Sequence, residues 1–584
     1  STYTVFEVSD RSFLNKVTVG ANVGYSRDKS SGIETNSEYG SILGSALTFS
    51  PLVPVYADDE TAASILAQYP HAVSDGDRVF SIPPSGFQEI ANPVGMLHQP
   101  SAGLNNSDKF VGSFWGELQI LPELRFRTTY GADLAFWGYD TYTFPYFLAT
   151  QGKDQLFSTV QSEMNRGYRW QLENYLSYAK TFNDVHNLSA VLGQSASRYR
   201  QRSLGATDRD LLETDPSKAN INSAIADRQL ERAWGGTNGF DFTGSASYFG
   251  RVDYNYDEKY MLQATVRRDG STSFGPNNRW GVFPSFSVGW NLTNESFMEN
   301  RPEWFDYMKL RFSWGKNGND RIGNFLYTSL MNGGQNYYFG GGYRVISDLE
   351  NVGPVEGSMQ YGSSPSYIPN PDVKWEESVQ TDVGVEARLF NHRLTFGFDY
   401  FIKQTNDMLM YQPIPAYVGL EAPIANVGDM ENRGVEFELG WKHNVGDFNY
   451  HVSANASYLK NKLVNLGNET GEEIYESMGA TGVGSYVKGM NDEVFPFFYG
   501  FLTDGLFQNQ AEIDAHVNSD GTMLQPSARP GDVRFVDLNG DGEISDDDKT
   551  KIGKGAPDWT YGFTLGGDWK GIDVNLFFQG TIGN

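Results

Sequence analysis

From residue 246 the chain reads ASYFGRVDYNY, then DEK, then YMLQATVRR. Tyr248, Gly250, Val252, Tyr254 and Tyr256 fall on one face of the first run, and Ser247, Phe249, Arg251, Asp253 and Asn255 on the other. After a tight turn, Tyr260, Leu262, Ala264 and Val266 alternate in the same way with Met261, Gln263, Thr265 and Arg267. A period of two belongs to a strand and cannot serve a helix. The alternation returns at Phe110/Gly112/Phe114/Gly116/Leu118, Val282/Pro284/Phe286/Val288/Trp290, Leu394/Phe396/Phe398/Tyr400 and Val435/Phe437/Leu439/Trp441, and again near the end at Ile572/Val574/Leu576/Phe578. Roughly 15–17 strands are expected, many of about nine residues or more. Strands of globular proteins cluster near five or six residues, whereas about 9–11 are needed for a tilted strand to cross a bilayer. The fold class is therefore all-β, and an antiparallel transmembrane β-barrel with long extracellular loops is the architecture that uses such strands.

Alternation alone does not say which face meets which solvent, and three features decide it. Aromatic residues stand at strand ends (Tyr248, Tyr256, Tyr260, Trp290, Tyr400, Trp441, Tyr458), as an interfacial girdle requires. Tight connections such as DEK and NHR alternate with long ones, 41–107, 201–240 and 317–374, rich in Gly, Pro, Ser and Asn. Small residues alternate with large ones on the polar face, which suits a wide lumen. Tyr254, Val266, Phe286, Phe396 and Phe437 are then expected to face lipid, and Arg251, Gln263, Ser287, Asp399 and Glu436 the lumen.

Composition removes other classes. There is no cysteine, so disulfide frameworks and thiolate chemistry are excluded. A net charge of −27 argues against nucleic acid as a partner, because that binding rests on neutralising phosphates. No apolar stretch is long enough for a membrane-crossing helix, and STYTVFEVSD has none of the parts of a signal peptide. No H-E-x-x-H or G-x-S-x-G occurs, GVGSYV (482–487) lacks a surrounding βαβ unit, and paired acids such as Glu376-Glu377 read as solvated, so catalysis has no support.

Two local patterns carry candidate sites. Residues 537–548, DLNGDGEISDDD, place Asp537, Asn539, Asp541, Glu543 (through its backbone carbonyl) and Asp548 at the ligand positions of a twelve-residue calcium loop, with Gly542 at the sharp turn. Oxygen-only ligands point to a structural Ca²⁺ ahead of Mg²⁺; the plainer alternative is an acidic, solvated turn. The flanks, with extended Val533–Val536 before and Gly553, Gly555 and Pro557 after, do not read as the helices of an EF-hand. The aromatic runs AFWGYDTYTFPYF (135–147) and QNYYFGGGYR (335–344) read as loops, offering Trp137, Tyr139, Tyr142, Tyr337 and Tyr338 to a sugar or peptide; girdle or loop packing is the plainer reading. VFPFFYGF (494–501) reads as packing beneath a loop.

NSEYGSILGSALTFSPLVPVY (36–56), VKWEESVQTDVGVEARLF (373–390), NVGDMENRGVEFELGW (426–441) and the stretch 531–580 resemble SusC/RagA-type TonB-dependent outer-membrane transporters of the Bacteroidetes. The resemblance covers most of the chain and implies a plugged barrel of about 22 strands. It also implies a SusD-type surface lipoprotein as lid, and uptake of oligosaccharides or peptides driven by TonB. The family's plug, which carries the TonB contact, and its last strands have no counterpart here, so residues 1–584 are expected to be the barrel portion of a longer protein. The alternatives are a siderophore or cofactor receptor of the same architecture, and a soluble, calcium-stabilised β-rich adhesin or glycan-binding protein.

Overall fold

The computed structural model describes residues 16–32, 41–83, 90–149, 153–212, 215, 218–224, 232–237, 243–329, 331–333, 337–339, 358–360, 362–365, 367–412, 414–468, 471–474 and 485–584. The chain divides into two compact units, one of residues 1–175 and 195–245 and one of 176–194 and 246–584.

Sixteen strands form one antiparallel sheet, and fifteen of them pair in strict chain order. They are β1 (Val17–Ser30), β2 (Ser101–Leu121), β3 (Leu124–Thr143), β4 (Thr159–Phe182), β5 (His186–Arg209), β6 (Thr243–Tyr256), β7 (Tyr260–Ser271) and β8 (Trp280–Asn291). There follow β9 (Phe305–Asn319), β10 (Glu376–Leu389), β11 (Leu394–Asn406), β12 (Asp429–Val445), β13 (Phe448–Asn465), β14 (Trp559–Trp569) and β15 (Ile572–Ile582). The sixteenth, Arg232–Thr237, pairs with β5. The expected number of strands is thus met. So is their length, nine residues or more: they run from 11 residues in β14 and β15, enough for one bilayer crossing, to 24 in β4 and β5, well beyond it. Alternation continues past the apolar band into polar sequence, where cross-strand pairing needs no hydrophobic face to persist.

Register keeps the two faces pure. Ala264 lies opposite Phe286 while Gln263 lies opposite Ser287. Phe398 faces Phe437, Phe396 faces Leu439, and Asp399 faces Glu436. Directly opposed residues point to the same side, so a face chosen on one strand is imposed on the next. On the apolar face Val266 is 54% exposed, Phe286 41% and Phe437 40%. The other face is tied by polar contacts. Arg251 Nε donates to Asp253 at 2.8 Å and Gln263 Nε2 to the same carboxylate at 2.8 Å, while Arg311 Nη2 reaches Asp399 at 2.6 Å. At the tight-turn end, Tyr260 OH and Trp290 Nε1 both donate to Glu295 Oε1, at 2.5 and 2.9 Å. These two donors, Tyr260 first, hold the Glu295 carboxyl below its ordinary value.

Two long connections are folded rather than loose. Between β1 and β2 stand α1 (Ile42–Thr48), α2 (Asp59–Gln68) and α3 (Pro93–Leu97). Each is capped by a side-chain acceptor: Ser41 takes Gly44 N–H, Asp58 takes Thr61 N–H, and Asn92 takes those of Val94 and Gly95. Their core joins Val73, Phe80, Ala91 and Met96 to Tyr146, Leu148 and Ala149. The loop expected over 41–107 is therefore a small lobe followed by the start of β2, and those over 201–240 and 317–374 begin as the ends of β5 and β9. The second folded connection lies between β13 and β14. Strands Glu472–Ile474, Val487–Met490, Phe497–Phe501 and Lys549–Lys554 form a four-stranded sheet there, with Phe497 2% exposed. The VFPFFYGF run is thus largely a strand.

Candidate functional site

The run 135–147 is not a loop. β3 continues through Thr143, and Tyr146–Ala149 is a short strand of its own. The alternation Ala135/Trp137/Tyr139/Thr141 against Phe136/Gly138/Asp140/Tyr142 is strand-like, and aromatic residues favour strands. Trp137 and Tyr139 lie opposite Ser107 and Asn105 on the polar face, whereas Tyr142, opposite Ala102, lies on the other. Tyr142 instead lines a cavity of about 500 Å³ with Asp140, Val160, Ser162 and Asn220. Tyr337 and Tyr338 sit on the short strand Tyr337–Phe339, and their side chains fall outside the described residues.

Around Trp137 and Tyr139 the polar face of the first unit gathers a cluster that sequence reading missed. The Tyr139 hydroxyl accepts from Gln161 Nε2. A Cβ on Gly167 would meet the Trp137 ring at 3.0 Å and the Tyr199 hydroxyl at 3.3 Å, so the missing side chain is what lets both rings lie there. Tyr199 OH donates to Gln201 at 2.9 Å, and the Arg169 guanidinium stands 5.2 Å over the Tyr199 ring. Trp234, on the short strand beside β5, covers Gly205 and donates from Nε1 to Glu163 Oε2 at 3.3 Å, while Asn165 Nδ2 donates to Glu163 Oε1 at 2.8 Å. Two indoles, two phenols, three amides, a carboxylate and a guanidinium thus share one polar wall. Flat apolar rings ringed by hydrogen-bonding groups suit solutes that present both C–H faces and polar edges. The signal for Tyr199, Trp234 and Glu163 was strand parity, usable only once the register between strands is known.

In the second unit, the polar face opens into a groove of about 560 Å³ lined by Lys180, Asp253, Gln263, Lys309, Arg311 and Asp382 among others. Arg311 sits at its edge in a bidentate pair with Asp399 and a further pair with Glu386 at 3.1 Å. Facing charges of both signs make this wall a hydrogen-bonding surface for polar matter.

The loop 537–548 is built from side-chain-to-backbone bonds. Asp537 accepts from Gly540 N–H at 2.7 Å and Gly542 N–H at 2.9 Å, Asn539 from Asp541, and Asp541 from Glu543. Asp548, fully buried, accepts from Ser545 and Leu538 N–H at 2.8 and 2.7 Å and from Asn539 N–H at 3.3 Å. The Ser545 donor, with those of Leu538 and Asn539, holds the Asp548 carboxyl below its ordinary value against the upward push of burial. Gly540 and Gly542 take φ of +75° and +91°, which is why glycine stands at both. No EF-hand helix flanks the loop: Val533–Phe535 precedes it, and the turn Asp546–Asp548 leads into Lys549–Lys554. Among the described residues, no group of three or more His, Cys, Asp or Glu side chains is placed to share one ion.

A long-stranded antiparallel sheet with one exposed apolar face and one polar, aromatic-studded face is the wall of a membrane β-barrel receptor. The match is direct: residues 98–581 fit the family described as TonB dependent receptor-like, beta-barrel, and the chain belongs to it. Among curated proteins the chain is similar to TonB-dependent receptor P3 of Formosa agariphila, with 29% identity over 100% of this chain and 53% of that one. It is also similar to TonB-dependent receptor SusC of Bacteroides thetaiotaomicron, with 25% identity over 94% and 51%. The chain spans about half the length of these relatives. Among solved structures, the RagAB peptide importer in its closed-closed state has the same fold, with a TM-score of 0.73, 20% identity, and coverage of 99% of this chain and 57% of that one. The SusC/RagA resemblance read from the sequence is thereby shown.

Proposed function

We propose that the chain is the barrel portion of an outer-membrane, TonB-dependent importer of oligosaccharides or peptides that works with a SusD-type surface lipoprotein. The observation that carries the reading is the exposed apolar face. Leaving aliphatic and aromatic surface in water forgoes about 25 cal/mol for every Å² that could be buried. A face kept apolar over strand after strand is therefore matched to hydrocarbon. The Trp137, Tyr139, Tyr199 and Trp234 cluster supports a solute with flat apolar faces and polar edges, and family membership supports energy coupling through TonB and the plug.

Extraction from the native outer membrane in mild detergent tests this. The chain should require detergent and bring down a second, lipid-anchored chain in near-equal amount. Purification without detergent would favour the soluble adhesin; repeated recovery of an intact barrel alone would remove the lipoprotein. Mass spectrometry of small molecules released from the complex should find an oligosaccharide or peptide, depleted in Trp137→Ala. An iron chelate in its place would favour the siderophore receptor.

A structural Ca²⁺ in the loop 537–548 is a second proposal. It is supported by the ligand spacing and by the way Asp537 and Asp548 both turn onto backbone 538–542 and close the loop. Asp537, Asn539, Asp541, the Glu543 carbonyl and Asp548 would hold the ion. Calorimetry should register binding near 10⁻⁴–10⁻³ M, the range of extracellular calcium modules; no heat at millimolar Ca²⁺ would leave a loop held by its own hydrogen bonds alone.

A further inference from the structure

On the apolar face of the first unit, the series Leu134/Phe136 of β3 gives way to Asp140 and Tyr142, which keep the same parity and hence the same side. Leu104 lies opposite Asp140, and Ala102 opposite Tyr142. From β4, Ser162 Oγ donates to Asp140 Oδ1 at 2.6 Å. With the buried Val160, these groups line the cavity of about 500 Å³, inside the range of about 300–1,000 Å³ typical of small-ligand sites. The short turn Ile221–Ser223 supplies a further wall. Asn220 Oδ1 accepts from Asn222 N–H at 3.0 Å, and Asn220 N–H donates to Ser223 Oγ at 2.9 Å. Leu212 N–H donates to the Ser223 carbonyl at 2.8 Å, and Leu211 N–H to Ser158 Oγ at 2.7 Å. The turn is thus tied to the ends of β5 and β4, and the fold itself builds the cavity.

Three groups in it keep free bonding capacity. Among the described residues, the Tyr142 hydroxyl, the Asn222 amide and Asp140 Oδ2 have no partner. The described lining holds a carboxylate and no Lys, Arg or His side chain, which disfavours an anion, as does the net charge of −27. A peptide cannot add as a strand here, because β3 is already paired on both sides, with β2 and β4. What fits is a neutral solute whose hydroxyls donate to a carboxylate and accept from an amide, with a C–H face for a phenol ring. A hexopyranose meets all three demands.

Height points the same way. Tyr142 lies about 18 residues along β3 from Leu124, or about 60 Å at 3.3 Å per residue. A strand tilt of about 40° reduces that to about 45 Å, well past an apolar band about 25 Å tall, at the end bearing the long connections. That end faces outward in such barrels, so the cavity opens at the level of surface sugars.

We propose that this cavity is a binding site for one neutral sugar residue of a surface glycan, on the opposite side of the sheet from the Trp137 cluster. The Tyr142 ring packs against the C–H face, while Asp140 and Asn222 hydrogen-bond adjacent hydroxyls. The cavity stands without the outer-membrane reading, which decides only that it opens outward.

The test is saturation-transfer NMR of the full chain in mild detergent with the methyl glycosides of glucose, galactose, mannose and fucose at millimolar concentration. At least one should bind, and Tyr142→Ala or Asp140→Ala should weaken it about tenfold or more, as the loss of a charged hydrogen bond does. Asn222→Ala, on the turn and outside the sheet, should weaken it in a chain whose unheated gel mobility is native, which keeps the test open should a strand variant misfold. Binding of none of the four, or indifference to all three substitutions, overturns the assignment. So does binding of glucosamine alone, which would mark a site for a cation, or loss of binding in Trp137→Ala but not Tyr142→Ala, which would place the sugar on the polar wall. Displacement of the glycoside by purified outer-leaflet glycolipid supports the site with a lipid-borne sugar, and displacement only by soluble oligosaccharide supports it with a free one. A chain that binds the glycoside without needing detergent refutes the membrane reading and keeps the sugar site; a detergent-dependent chain that binds none refutes only the sugar site.

Discussion

Phe147 and Phe286 are the same side chain with opposite fates. Phe147, in the lobe beside α1–α3, is 1% exposed and stacks on Tyr69 at 3.5 Å between ring centroids; its neighbour Phe80 is 2% exposed. Phe286, in β8, is 41% exposed, and Phe437 in β12 is 40%. The lobe behaves as a small protein in water, ordering its helices by burying rings and capping each helix start. The sheet orders itself differently. Its hydrogen-bond ladders and the polar network from Arg251 to Asp399 hold the register while the rings stay bare. A protein keeps both arrangements only if its two regions sit in different solvents.

The largest expected effect breaks or confirms that contrast directly. Phe147→Ala should cost the lobe about 3–5 kcal/mol, because truncating a fully buried ring leaves a cavity. Hydrogen exchange should show amides of residues 56–81 losing protection while those of β8 keep theirs. Phe286→Ala, assayed in bilayers, should change stability far less, since lipid fills the space a protein core could not. Equal losses at the two positions would mean that both rings are buried in the same sense.

Lysine scanning sharpens the comparison within the sheet. Val266→Lys should destabilise by about 2–4 kcal/mol in a bilayer, and Gln263→Lys, three positions away on the other face, by much less. Urea unfolding in lipid vesicles measures both. Similar values would remove the distinction between lipid face and polar face on which the membrane reading stands.

The smallest effect concerns the loop 537–548, which belongs to neither regime. Its Asp548 carboxyl is held below its ordinary value by the backbone donors of Ser545, then Leu538 and Asn539. A depressed folded value means that the stabilisation is complete above the unfolded carboxylate range and is lost as pH falls through the folded value. Limited proteolysis within 537–548 should therefore accelerate on acidification, and Asp548→Asn should be cut readily at neutral pH with a flatter pH dependence. The protease resistance of β14 and β15 should not change. An unaltered cleavage profile in Asp548→Asn would show that the carboxylate does not hold the loop.

How much of this was legible depended on how local each signal is. Strand existence and face were readable because a side chain's side of a strand is fixed by counting residues, as Gln263 and Ala264 illustrate. Strand ends were not, since alternation runs on beyond the apolar band: Trp137 and Tyr139 look like loop residues by composition and are strand residues by pairing. The lobe between β1 and β2 was hidden because its helices are short. Seven residues of ILGSALT carry less periodic signal than a strand of fourteen, and their core forms only against Tyr146 and Leu148, far along the chain. Lys549–Lys554 was missed for the same reason, being a strand only because Phe497–Phe501 lies beside it.

By itself, then, the order of residues determined the class of fold, the two faces of the sheet and the turn geometry of DLNGDGEISDDD, since each follows from steric and solvent preferences acting within a few residues. Only the tertiary structure decided which side chains meet. Trp137 shares a wall with Tyr199, Trp234 and Glu163, and Asp140 stands beside Ser162, through the register of β3, β4 and β5. A register is an agreement between strands, so no single strand's sequence contains it, and a slip of one residue would send every one of these groups to the opposite face.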